Sequence, residues 1–130
     1  MALYFIGTTT WQVAEDSTKA QLISSRSSSK TEAVDMTECV ERLVEIPDAT
    51  TDQAIGFVGA DGLNTNALAL FIQSDNPITV KINGSDTGLP IGNTVGETGT
   101  LMIDATTITS LTISNASGAT AKVTFVFPGA

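Results

Sequence analysis

The sequence predicts an all-β protein: a single-domain antiparallel β-sandwich or jelly roll over residues 1–130, with a short helix near residues 31–45 as a competing element. Three observations carry this. From Ala119, the residues Ala119, Ala121, Val123, Phe125 and Phe127 fall on one parity and Thr120, Lys122, Thr124 and Val126 on the other, the period of a strand with one buried face. Leu111 and Ile113 alternate in the same way with Ser110, Thr112 and Ser114, and Asn115–Gly118 separates the two runs, which reads as a hairpin. Short runs of this type recur at close spacing, about eight to ten in all, and the chain holds 20 threonines, a residue that favours strands.

The elements follow in order. Met1–Ile6 is apolar but lacks a basic lead and a long hydrophobic core, so it reads as a first strand and not as a signal peptide. Trp11–Ala14 and Gln21–Ser24 read as further short strands, and Ser24–Lys30 as a polar loop or tip. Glu32–Ile46 fits two patterns. Ser29 and Glu32 have capping-box spacing, and Ala33, Met36, Val40, Leu43 and Val44 fit one helical stripe. Against this, Val40, Arg42, Val44 and Ile46 alternate, Pro47-Asp48 closes the run, and Glu41 and Glu45 would oppose a helix dipole, so the strand is preferred. Gln53–Val58 is a strand ended by Gly59–Gly62. Ala67–Ile72 is apolar on both parities, as a strand covered on both faces would be. After the turn at Asp75–Pro77, Ile78, Val80 and Ile82 alternate up to Asn83-Gly84, a strong turn signal. Ser85–Gly99 reads as a loop, Leu101 and Ile103 as a short strand, and Ile108 as a bulge or late start.

Composition narrows the function. With 42% hydrophobic residues the chain can bury a core, and no apolar run approaches the roughly 20 residues that span a bilayer. Net charge is −8, of which residues 1–61 carry −6 and residues 62–130 only −2. Lys19, Arg26 and Lys30 make no basic cluster, so nucleic acid is not an expected partner, and neither is a membrane. A near-neutral half rich in Thr, Ser, Gly and Ala suits contact with other subunits. Cys39 stands alone, which rules out an internal disulfide and suggests a small buried hydrophobe.

The usual chemistry is missing. With no histidine there is no Ser-His-Asp or Cys-His arrangement and no zinc site of the usual kind. Asp61, Asp75 and Asp104 sit near strand ends and could be paired carboxylates, but turns explain them better. Asp61, Asn64 and Asn66 offer oxygen ligands around Gly62, without the spacing or terminal Glu of an EF-hand. Asn83-Gly-Ser85 and Asn115-Ala-Ser117 match the glycosylation sequon, each in a turn that already accounts for its Asn. No catalytic, cofactor-binding or metal-binding residue is assigned, and no cofactor is expected. Trp11, Ser27 in the polar stretch, and Phe127 in the final strand are the candidates for an interface.

At Asn76-Pro-Ile-Thr-Val-Lys-Ile-Asn-Gly84, and at Ile108–Gly118 followed by Ala121-Lys-Val-Thr-Phe125, the chain resembles small β-sandwich virion proteins of tailed bacteriophages. The resemblance covers roughly the last 55 residues. It implies a non-enzymatic structural role in the virion, as a capsid decoration or other head-associated accessory subunit, with a neck or tail component as the alternative. The implied partners are copies of the same chain and other virion proteins: the major capsid protein, or neck and tail proteins. A carbohydrate- or ligand-binding sandwich, using Ser85–Gly99 and Trp11 as a stacking platform, is the reading from a different class.

Overall fold

The computed structural model describes residues 3–14, 22–36, 38–59, 62–103 and 107–129. The chain divides into two compact units, Met1–Asp35 and Met36–Ala130. In the first, β1 (Leu3–Ala14) and β2 (Leu22–Met36) pair as a two-stranded sheet. Ser24–Lys30, expected as a loop, therefore lies within a strand. Ser and Lys offer no core anchor, but a ladder is made by backbone groups, so such residues can pair with a neighbouring strand whatever their side chains.

Among the described residues the second unit contains eight strands: β3 (Glu38–Ile46), β4 (Thr50–Ala54), β5 (Leu70–Ser74), β6 (Ile78–Ile82), β7 (Leu89–Ile91), β8 (Gly99–Ile103), β9 (Leu111–Asn115) and β10 (Ala121–Gly129). They form two antiparallel sheets of four, ordered β3-β10-β5-β8 and β4-β9-β6-β7. The first strand of the unit pairs with the last, β4 with β9, β5 with β8, and β6 with β7. The segment is thus folded double, with its tip at β6 and β7, and wound so that successive pairs alternate between sheets. That is the jelly roll, one of the two arrangements that alternation alone left open.

No helix forms in residues 38–46, and 31–36 belong to β2, so the possible helix near 31–45 is not there. The helical stripe fails because Leu43 and Val44 take opposite faces. Val44 is half-buried beside Val123, whereas Leu43 is 75% exposed beside Thr124. The ladder with β10 runs without a break from Ile46↔Ala121 to Glu38↔Gly129, and so many paired residues outweigh a local helical preference. A second correction concerns Leu111–Ser114 and Ala119–Phe127, expected as a hairpin. Strands β9 and β10 lie in different sheets, and Asn115–Gly118 is the corner between them. Ser85–Gly99, expected as a loop throughout, contains β7. The strand expected at Gln53–Val58 is β4, which starts and ends earlier, and the one expected at Ala67–Ile72 is β5, shifted toward Ser74.

The core lies between the sheets. Ile46, Leu70, Ile72, Val123, Phe125 and Phe127 from one sheet meet Ile78, Val80, Leu111 and Ile113 from the other. Phe127 stacks on Phe57 with ring centroids 4.4 Å apart, and on Phe125 at 5.8 Å. Burying each such side chain contributes about 1.5–3 kcal/mol, which the period-two pattern spends on one face of each strand.

Asparagines hold the corners. Asn115 is fully buried; its Nδ2 donates to the carbonyls of Ile46 and Ala119, both at 2.8 Å, and its Oδ1 accepts the Ser117 N–H at 3.0 Å. Asn76 donates to the Thr120 carbonyl at 2.8 Å and accepts the Gly96 N–H at 2.9 Å. Asn83 accepts from the Thr109 N–H at 2.7 Å and donates to the Thr107 carbonyl at 2.9 Å. Asn83 and Gly84 have φ of 55° and 70°, the left-handed pair that a tight primed turn needs. Both sequon asparagines thus have structural roles, as the turn reading expected.

Ala49 closes the turn between β3 and β4 at φ 62°, a conformation in which its Cβ crowds the backbone. Ala49→Gly removes that strain but adds freedom to the unfolded chain. The expected net gain is about 0.5–1 kcal/mol. It should appear as a higher urea midpoint with an unchanged slope.

Candidate functional site

Of the residues with candidate chemistry, Asp75 has a visible structural role. Asp75 Oδ1 accepts the Lys122 N–H at 2.7 Å and so ties the β5–β6 turn to β10. Asp61 and Asp104 lie outside the described residues. Asn64 and Asn66 are exposed, and among the described residues no group of three or more His, Cys, Asp or Glu is placed to hold a metal ion. Two open depressions of about 200 Å³ each lie on the surface, one beside Pro77 and Pro90 and one beside Phe57 and Leu111. Neither is lined by an ionisable side chain. Both fall short of the roughly 300 Å³ at which small-molecule sites begin.

The outer faces of the two sheets differ in kind. On β4-β9-β6-β7 the face is polar, with Thr79, Lys81, Thr112 and Ser114 pointing away from the core face of β6 and β9. Lys81 Nζ lies 3.0 Å from Asp52 Oδ1, and Ser114 Oγ donates to the same oxygen at 3.2 Å. The Lys81 hydrogen bond, more than any other influence, holds the Asp52 carboxyl below its usual range. On β3-β10-β5-β8 the register aligns Glu41, Val126, Phe71 and Met102 in one row across all four strands. The next row holds Leu43, Thr124, Gln73 and Thr100. Leu43 is 75% and Met102 40% exposed, and Val126 and Phe71 between them are half-buried. An apolar band thus runs over the outside of one sheet and has no counterpart on the other.

Of the three interface candidates, Trp11 falls on β1 and Ser27 on β2. Phe127 requires a correction, because it is wholly buried between the sheets and presents nothing to a neighbour. Its parity was right, but a strand's apolar face packs on its own second sheet before it is available to anything else. The row Val126–Phe71–Met102 was missed. Phe71 and Val126 are single apolar residues on the parity opposite each strand's core face, and only the register brings them side by side.

No family model and no curated protein matches the chain. Among solved structures, it is similar at a TM-score of 0.46 and 13% identity to a chain from Bacillus endospore appendages, described as a novel family of disulfide-linked pili. The similarity covers 72% of this chain and 88% of that one. At that level the likeness has no bearing on function.

Cys39 is exposed on β3 and is not the buried hydrophobe expected of a lone cysteine. It shares the outer face with Glu41, since the alternate residues Val40, Arg42 and Val44 register with the core residues Phe127, Phe125 and Val123. Partial burial, and then the Glu41 carboxylate, push the thiol pKa up. A higher pKa means less thiolate at neutral pH, the opposite of what a catalytic cysteine needs. Glu41→Gln removes the repelling charge, favours the thiolate and so lowers the pKa. Alkylation by iodoacetamide at about pH 8 should then speed up about twofold. An unchanged rate would mean that burial alone sets the shift.

Proposed function

We propose that this chain is a non-enzymatic structural subunit of a bacteriophage virion, a head-associated accessory protein held in place by protein–protein contacts. The observation that carries the assembly reading is the apolar band Val126–Phe71–Met102, with Leu43 beside it, on the outside of one sheet only. Water-exposed apolar area of that kind gains free energy when a neighbour covers it. The polar face with its Lys81–Asp52 pair suits contact with solvent. The virion assignment draws on the resemblance at Asn76–Gly84 and Ile108–Phe125. Its proposed partners are copies of the chain and the major capsid protein, with Trp11 and Ser27 of the β1–β2 sheet as further contact points.

The test is to raise an antibody to the purified chain and probe density-gradient fractions from the cells that produce it. Cosedimentation with intact particles is the expected result, with label over the head in electron micrographs. Label over the neck or tail would move the subunit along the particle. Recovery in the soluble fractions alone would end the virion reading.

A further inference from the structure

Every open sheet has edges, and the two sheets of this sandwich have four: β3 and β8 in one, β4 and β7 in the other. An edge strand leaves one row of backbone groups unpaired, and proteins block such rows with charge, proline, bulges or shortness. Strand β3 carries Glu38, Glu41, Arg42 and Glu45. Strand β4 breaks register between Thr50 and Gln53, where Asp52 takes φ 47°. Strand β7 is three residues long and contains Pro90. Strand β8, Gly99-Thr-Leu-Met-Ile103, has none of these devices. Its five residues pair with β5 without a shift, and it carries no charge and no proline. No other backbone hydrogen bond involves Gly99–Ile103 among the described residues.

A second observation points to the same side of the sandwich. Strands β7 and β8 pack together there, so closely that a Cβ on Gly99 would fall 2.8 Å from the Gly92 Cα. Of the five large hydrophobic residues exposed among the described residues, Leu89, Val95 and Met102 lie on β7, on β8 or on the segment joining them. The outer-face row Val126–Phe71–Met102 also ends at this edge.

We propose that β8 is the self-association edge of the subunit, where two copies pair their β8 strands antiparallel about a two-fold axis and merge two four-stranded sheets into one of eight. This deepens the assembly reading above and rests on it. A second copy fits because each chain carries a net charge of −8, so two copies tolerate contact best where charge is absent. Pairing centred on Leu101 puts Leu101 opposite its own symmetry mate and Thr100 opposite Met102, with no like charges facing each other. Self-pairing of β3 would bring together two strands that each carry three glutamates against one arginine. A two-fold contact uses the same patch twice, which a short uncharged strand can do with itself.

The register supplies its own test. In Thr100→Lys/Met102→Lys, the pairing sets lysine against lysine on both sides of the axis. In Thr100→Lys/Met102→Glu it sets lysine against glutamate. Light scattering over a concentration series should give the wild type as a dimer, at twice the chain mass of 13.5 kDa. The double-lysine variant should be a monomer, with the dissociation constant raised about tenfold or more, and the lysine–glutamate variant a dimer again. Circular dichroism on each variant reports that the fold is intact. A wild type monomeric at every concentration, or a lysine–glutamate variant that stays monomeric, would overturn the proposal. A double-lysine variant that still dimerises would also overturn it. None of these touches the particle-cosedimentation result, which stands or falls separately.

Discussion

Phe127→Ala is expected to cost about 3–5 kcal/mol of stability, the largest effect of any single substitution considered. Phe127 is wholly buried, stacks at 4.4 Å on Phe57 and at 5.8 Å on Phe125, and so joins β10 to the segment that follows β4. Alanine loses the transfer free energy of the ring and also leaves a cavity that two flanking aromatics cannot fill without leaving their own positions. Chemical denaturation should show the midpoint falling with little change in slope. Phe127→Leu, which keeps most of the volume, should lose clearly less. A loss below about 1 kcal/mol for the alanine variant would mean that the site collapses freely, which the stacking argues against.

Asn115→Ala is the second large effect, and its cause is different. Little apolar area changes, but the carbonyls of Ile46 and Ala119 lose a donor and the Ser117 N–H loses an acceptor, the first fully buried and the other two half-buried. Each group left without a partner costs about 1–3 kcal/mol. Ala119 keeps the Ser117 hydroxyl at 3.0 Å, which reduces the total. The expected loss is therefore about 2–4 kcal/mol. Asn115→Asp should be nearly as harmful, since a carboxylate can accept from Ser117 but cannot donate to either carbonyl. Equal stability of Asn115→Asp and wild type would show that the two donated bonds contribute nothing.

Much of this architecture was legible because a half-buried strand has a period that no other element shares. The alternation of Val40, Arg42, Val44 and Ile46 outweighed a helical stripe that was equally visible, and β6, β8, β9 and β10 stand where alternation put them. Pairing was not legible. Residues Leu111–Ser114 and Ala119–Phe127 each show one buried face, and a buried face is the same whether its neighbour lies alongside in one sheet or across the core in the other. Strand β7 was invisible for a related reason: Leu89-Pro-Ile91 is too short to alternate, and only β6 beside it makes it a strand. The apolar band on the outer face was the least legible part. Its apolar side chains come from β5, β8 and β10, and no linear pattern connects Phe71, Met102 and Val126 before the register is known.

The pairing of β3 with β10 has a consequence for the chain's synthesis. Residues 38–46 and 121–129 form one continuous ladder, and β10 is also the strand that lies between β3 and β5. Until Ala121–Gly129 has left the ribosome, that sheet lacks its central member, and β3 and β5 have no common neighbour. Contacts of such sequence separation make for slow folding. A chain that stalls before Ala121 leaves a gap two strand edges wide, available to any extended segment nearby. Full-length product and prematurely released product should therefore differ sharply in protease resistance.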